Sequence, residues 1–350
     1  ILREQHMSLQ NKFNTFNQRI YLTRHDDEYT NAREKDDSIT AAIKAKFKEK
    51  GYPVIDNFVQ GSLATFTTIK ESGKDFDIDR AIVIDYEDSP SDPLIPKKVI
   101  LEILEDRGFQ NAKIKKPCVT ADYQSQDLHI DIPIYRKTSW GSYQLAVGKK
   151  DSNAENKVWS DSAPKELISW VNDSSAFGEY ATEKLYQFRR LVRYLKRWRN
   201  FKFSHDVSRK IYSIGLTVMI KQHFRPSIDS EGCPNDLIAL KDTVNSILNL
   251  SGYFISYPDD QWKVKVSLPV SPYRDIFHGS SFNTGTRFRN RLSNLNSSLQ
   301  TVIDETDESK QCSLLIGLFG DDFPEGTNNA SATRKAVFAT SGAVGTSQGA

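Results

Sequence analysis

The run Asp75-Phe76-Asp77-Ile78-Asp79-Arg80-Ala81-Ile82-Val83-Ile84 decides how this chain is read. Alternate side chains of a strand share a face, so Asp77 and Asp79 lie on one side, about 6.6 Å apart over two residue rises. Phe76, Ile78, Ile82 and Ile84 supply the opposite, buried side. Period two also puts Asp75 on the acidic face, so alternation alone does not choose between the earlier and the later acid pair. Arg80 interrupts the apolar side and is expected at an exposed strand tip. A second stretch, Leu128-His-Ile-Asp131-Ile-Pro-Ile-Tyr135, repeats the logic, with Ile130, Ile132 and Ile134 alternating against His129, Asp131 and Pro133. Side by side, two such strands gather three carboxylates able to hold paired Mg2+ ions, because hard cations take oxygen ligands. The same preference gives His129 a supporting place rather than a ligand's.

Paired metals, roughly 3.5–4 Å apart, are what an in-line displacement at phosphorus demands. One activates the attacking hydroxyl and the other neutralises charge on the departing pyrophosphate. Gly61-Ser62 adds a turn at which backbone N–H groups and a small hydroxyl approach phosphate oxygens. A Gly-Ser pair or an acidic run alone says little; their order along the chain, followed by an acid inside an apolar strand, points to nucleotidyl transfer.

With these residues the chain resembles the bacterial cGAS/DncV-like nucleotidyltransferases, the CD-NTase family that makes cyclic oligonucleotide signals in antiphage defence. Gln60-Gly-Ser-Leu-Ala-Thr-Phe-Thr67 is similar to the family's Gln-Gly-Ser opening, Asp77-Ile-Asp79 to its paired metal ligands, and His129-Ile-Asp131-Ile-Pro to the strand carrying the third. Ser162-Ala-Pro-Lys165, Trp170 and Asn172-Asp-Ser174 resemble a linker of DncV-like members. In Arg189–Trp198, Lys196 falls where the family places a triphosphate-binding lysine, and Ser213 where a second phosphate-contacting serine is expected. The family often has a base-stacking aromatic shortly after Gly-Ser; here Thr65 stands there and Phe66 follows.

The resemblance implies an α+β fold: a DNA polymerase β-like lobe of mixed sheet and helices, a helical lobe, and the site in the cleft between. It selects Asp77, Asp79 and Asp131 as catalytic metal ligands, with Gln60, Gly61, Ser62, Lys196 and Ser213 holding the nucleotide. It implies two Mg2+ ions, for which Mn2+ substitutes, and condensation of NTPs, ATP among them, into a cyclic di- or trinucleotide with release of pyrophosphate. Rival readings are transfer to an RNA end, protein or small molecule by the same superfold, and an inactive nucleotide sensor. Regulation through the C-terminal tail is expected, by a ubiquitin-ligase-like conjugating enzyme or a HORMA-type partner.

At 350 residues the chain is long enough for two lobes. Its boundaries are expected as a vector remnant over 1–7, a nucleotidyltransferase lobe with N-terminal helices over 8–165, a mainly helical lobe over 166–320 and a flexible tail over 321–350, rich in Gly, Ala, Ser and Thr. No apolar run is long enough to span a membrane. Three scattered cysteines, Cys118, Cys233 and Cys312, exclude a disulfide framework and a zinc site, and fit the cytoplasm. The missing zinc motif separates the chain from animal cGAS, whose zinc-bearing insert contacts DNA. A formal net charge of +2 gives no global field for nucleic acid. The basic residues of 189–202 are expected to be mostly solvated on an amphipathic helix, with Lys196 the exception. Pro269-Val-Ser-Pro-Tyr-Arg274 offers either a lining of the acceptor pocket or a plain turn, and as a Pro-rich loop it is read as a turn and left out of the site.

Overall fold

A computed structural model describes residues 2–70, 76–109, 111–123 and 128–326. Asp75 and the tail from residue 327 lie outside the described residues. Two helices open the chain, α1 (Leu2–Ile20) and α2 (Asp27–Glu49), followed by β1 (Val54–Gln60), the one-turn α3 (Gly61–Ala64), β2 (Phe76–Asp85) and α4 (Leu94–Asp106). Then come β3 (Lys113–Ile114), β4 (Val119–Tyr123), β5 (Leu128–Ile132), β6 (Ile134–Lys137), β7 (Tyr143–Val147) and β8 (Val158–Ser162). The second half holds α5 (Pro164–Asn172), α6 (Ala181–Lys202), α7 (His205–Ser208), α8 (Ser213–His223) and α9 (Asp236–Leu250). A hairpin of β9 (Phe254–Tyr257) and β10 (Gln261–Val264) precedes α10 (Phe282–Asp304) and α11 (Glu308–Phe319).

Strand β2 organises the eight-stranded mixed sheet. It pairs antiparallel with β1, and parallel with β5 over Phe76–Asp79 and with β6 over Ile82–Asp85. The stretch read as one strand, Leu128–Tyr135, is therefore two. It breaks at Pro133, which has no N–H to give a ladder, while its carbonyl accepts from the Ile82 N–H at 3.0 Å. Ile78, Ile82, Ile84, Ile130, Ile132 and Ile134 are fully buried against Ile39, Ile43 and Phe47 of α2 and Ile100 and Leu104 of α4. Each such chain stabilises the lobe by about 1.5–3 kcal/mol through area removed from water.

Arg80 corrects the expectation of an exposed strand tip. Its side chain is buried, with Nε donating to both Asp36 oxygens at 3.0 Å and Nη1 to Asn57 Oδ1 at 3.1 Å. The pair straps α2 to the back of the sheet, since a buried guanidinium needs its carboxylate there.

The second core differs from the sequence-based boundaries at both ends. Leu9, Phe13, Phe16 and Ile20 of α1 pack with Phe188, Leu191, Leu195 and Trp198 of α6, so this first helix joins the helical core rather than the sheet. Ordered chain also continues past residue 320. Phe323 is buried against the Phe13, Phe16 and Phe319 rings, and Asp322 accepts from Arg197 Nε at 2.6 Å. The basic residues of α6 are mostly engaged rather than solvated. Arg190 forks onto buried Asp236 at 2.7 and 2.8 Å, Arg193 donates to Asn17 Oδ1 and the Phe66 carbonyl, and Arg199 donates to the Ile211 carbonyl and Ser213 Oγ. No helix among the described residues is long and apolar enough to cross a membrane.

Candidate active site

Registered pairing sets the acids. Asp77 lies beside His129 and Asp79 beside Asp131 on parallel strands, while Gln60 of β1 faces Asp79 from the other edge. Residues in register share a face, so all three carboxylates point off the side of the sheet away from α2 and α4. Chain reversal after Gln60 needs Gly61 at φ 65° and starts α3, so that Ser62 follows at the rim of the same face. Ser62 Oγ bonds Thr68 Oγ1 at 2.8 Å, and Thr65 Oγ1 bonds Thr67 Oγ1 at 2.9 Å, which closes the loop on itself.

From the other lobe, α6 brings buried Lys196, whose Nζ donates to the Thr67 carbonyl at 2.9 Å. Ser213 stands at the first turn of α8, its hydroxyl accepting from Arg199 at 3.0 Å. The two lobes enclose a cavity of about 370 Å³. Gln60, Gly61, Ser62, Asp77, Asp79, Lys196 and Ser213 all line it, so one space collects every expected nucleotide-binding residue and two of the three acids. Asp131 sits one strand further, coupled electrostatically to both acids.

Electrostatics sort the acids into two kinds. Burial, then the charges of Asp77 and Asp131, push the Asp79 carboxyl up to about 7. Asp77 opens into the cleft but is ringed by protein, and that desolvation, with Asp131 nearby, raises its carboxyl too. For Asp131 burial also works upward, but hydrogen bonds from His129 and Thr120 outweigh it and hold the carboxyl down at about 2. Thr120 Oγ1 donates to Asp131 Oδ1 at 2.6 Å, His129 Nε2 lies 3.0 Å from the same oxygen, and the other ring nitrogen meets Asp122. His129 therefore orients Asp131 as a supporting group. Lys196 is the cationic counterpart: burial first, then Arg199 and Arg193, lower its ammonium to about 7, against the pull of Asp77 and Asp79.

As they stand, no three His, Cys, Asp or Glu side chains among the described residues are at metal-ligand spacing. The donor set still fits a hard divalent cation. All three are carboxylates, and the raised Asp77 and Asp79 mark negative charge short of a counter-ion. The hydrogen bonds on Asp131 gather at Oδ1.

Phe66 is engaged by arginines rather than by the cavity. Held at φ 59°, its ring lies against the Arg189 and Arg24 guanidiniums, 4.5 and 5.6 Å from its centroid, and it is not part of the cavity lining. Other contributors were not read from the sequence. Tyr135 donates to Gln60 Oε1 at 3.0 Å, and Leu268, Val270, Ser271 and Pro272 form a wall opposite Ser162, Ala163 and Pro164. Within the segment 269–274, left out of the site as a turn although a pocket lining was the alternative, Val270, Ser271 and Pro272 line the cavity. The segment's Pro-rich composition signals a fixed loop but not which surface that loop meets.

Residues 7–174 match the family described as Second Messenger Oligonucleotide or Dinucleotide Synthetase domain. A cyclic GMP-AMP synthase of Escherichia albertii is 28% identical over 208 residues, 57% of this chain and 44% of that one; the match thus spans less than half of that relative. The fold is shared with apo Vibrio cholerae DncV at 16% identity and a TM-score of 0.67, over 91% of this chain and 96% of that one. It is also shared with Escherichia coli CdnC, solved in complex with a HORMA protein, at 14% identity and a TM-score of 0.63, over 90% and 98%.

Proposed function

We propose that this chain, which belongs to the bacterial cGAS/DncV-like nucleotidyltransferases, condenses NTPs, ATP among them, into a cyclic di- or trinucleotide and releases pyrophosphate. The observation that carries this reading is the convergence of phosphate-binding and metal-binding groups on one cavity: Gln60–Ser62, Lys196 and Ser213 beside Asp77 and Asp79. Nucleotide specificity would rest on the apolar wall and its hydroxyls rather than on charge.

Roles follow from the environments. Ser62 and the backbone N–H groups of its turn receive phosphate oxygens, and Ser213 adds a hydroxyl from the facing lobe. Lys196, poised near neutrality while it holds the Thr67 carbonyl, takes up full charge beside an anionic triphosphate. Asp77 and Asp79 would hold two Mg2+ ions, with Mn2+ as substitute, and Asp131 would complete one of the two sites. Bound there, the metals supply Lewis acidity to the attacking hydroxyl and the leaving pyrophosphate. Asp131, ionised across the whole neutral range, would favour deprotonation of that hydroxyl as an anionic ligand to the cation rather than by taking the proton itself, which would pass to solvent, while Thr120 and His129 fix the carboxylate's direction. Successive transfers in one cleft, two for a dinucleotide and three for a trinucleotide, each releasing one pyrophosphate, close a ring without an added acceptor.

Cytoplasmic antiphage signalling is the setting this reading fits. Control by a HORMA-type partner or a ubiquitin-ligase-like conjugating enzyme would act through the chain beyond residue 326. The test is incubation of the purified protein with the four NTPs and Mg2+ alone, products being identified by mass spectrometry. A cyclic oligonucleotide is expected. Pyrophosphate release only on adding an RNA, protein or small-molecule acceptor would favour the related transferases, and no turnover in any mixture would leave a sensor.

A further inference from the structure

The wall made by Leu268, Val270, Ser271 and Pro272 is the tip of a loop whose root is fixed in one lobe and whose flank is tied to the other. At the root, the Ile276 N–H donates to the Val266 carbonyl at 2.8 Å, and Asp275 Oδ1 accepts from the N–H groups of Val266 and Phe277, both at 3.0 Å. Val266 and Phe277 are buried in the helical core. Phe277 rests on Gly215 of α8 so closely that a Cβ there would fall 2.5 Å from its ring. Crossing within the loop, the Leu268 N–H donates to the Arg274 carbonyl at 2.8 Å. The loop is therefore a stiff arm standing on the helix that presents Ser213.

Arg274 carries the arm across the cleft. Its Nη2 donates to the Asp161 carbonyl at 2.6 Å and its Nη1 to Ser160 Oγ at 3.3 Å, both on β8 of the sheet lobe. Ser162, next along β8, lines the cavity opposite the arm. The guanidinium thus joins the two walls of one pocket, contacting neither the acids nor the phosphate-binding residues. A planar fork suits this span, since two of its N–H groups reach acceptors on neighbouring residues at once.

We propose that residues 266–276 form a strap closing the nucleotide pocket, and that Arg274 is the positioning residue that latches it to β8. The latch rests on the nucleotide-binding reading of the cavity and adds to it: holding the walls together pre-organises the pocket for the nucleoside end of the substrate. Opening the latch leaves the acids and Lys196 in place, so binding suffers and chemistry does not.

Arg274→Ala tests this, with Arg209→Ala as the control at a second arginine that is exposed like Arg274 but ion-paired to Asp206 instead. The expected result is a rise of about tenfold in KM for NTP, the worth of one charge-assisted hydrogen bond. The kcat should stay within about twofold. Arg274→Lys, which keeps charge but loses the fork, should recover only part of the lost affinity. A KM within about twofold of the unaltered protein, or a fall in kcat with KM unchanged, overturns the latch. Titration with a non-hydrolysable ATP analogue reads the same loss in Kd. If the unaltered protein binds the analogue but turns over no NTP, the synthase reading fails while the latch is still decided by Kd.

Discussion

A Cβ placed on Gly61 would stand 2.0 Å from Oδ2 of Asp79. The turn proposed to receive phosphate and the strand proposed to hold metal are thus packed to contact, and only glycine fits between them. Gly61 also sits at φ 65°, where other residues are strained. Gly61→Ala should therefore displace Asp79 rather than unfold the protein. Turnover is expected to fall by about a hundredfold, the usual cost of misplacing a reacting group by an ångström. The fold should lose about 1–2 kcal/mol, the cost of a left-handed φ for an L-residue. Steady-state rates with a melting curve check this, and a fully active Gly61→Ala protein would show that the contact does not matter.

Lys196 and Lys202 share α6 but differ in surroundings. Only the first lines the cavity and feels Asp77 and Asp79. Lys196→Met, which keeps most of the side-chain volume, should raise KM for NTP by about tenfold or more, because a charge-assisted phosphate contact is lost. Lys202→Ala should leave KM unchanged. Equal effects would mean that the helix acts as a diffuse positive field.

Lys97 gives a pH test away from the site. Its Nζ donates to the carbonyls of Lys115, Lys116 and Gly148 at 3.1, 2.7 and 3.0 Å. Burial pulls its ammonium from the ordinary 10.5 down to about 8. Between those values the unfolded chain binds more proton than the folded one, so the Lys97 contribution to stability grows as pH rises through the window. The growth is at most about 3 kcal/mol. Lys97→Met removes it and takes a donor from three carbonyls, of which that of Lys116 keeps the Gly148 N–H at 3.0 Å. The stability gap between the two proteins should widen from pH 8 to pH 10 in urea titrations, and a constant gap would contradict the assignment.

Two truncations separate the docked end from the tail. Ending the chain after residue 326 should leave basal NTP turnover and folding intact. Ending it after residue 320 removes Phe323 from the cluster of Phe13, Phe16 and Phe319. Phe323→Ala should mimic that loss at about 3–5 kcal/mol, as expected for emptying a buried phenyl site. Denaturant midpoints decide it, and equal stability of the two truncated chains would return the boundary to residue 320.

Much of the candidate site's geometry could be read in advance because its residues are close in sequence. Asp77 and Asp79 lie two residues apart on one strand, and alternation alone puts them on one face. Register then follows from burying Ile78 and Ile130 together. What escaped the sequence depends on the partner rather than on the residue. Arg80 looks like an exposed charge until Asp36 of α2 is folded over it. The basic face of α6 looks solvated until Asp236, Asn17 and Asp322 arrive from other segments. Phe66 has the right type for stacking on a base, but two arginines claim it. The Leu268–Pro272 wall is defined by a cavity, and a cavity exists only once two lobes meet.

The most direct test of the central claim compares the unaltered protein with the Asp77→Asn, Asp79→Asn double variant in a single mixture of NTPs and Mg2+. Asn keeps the volume while removing two anionic ligands and their repulsion, so the fold should hold and the metals should not stay bound together. Cyclic product should fall by about a thousandfold or more, as several kcal/mol of metal stabilisation is lost. An undiminished yield of cyclic product from the double variant would contradict the assignment of the site.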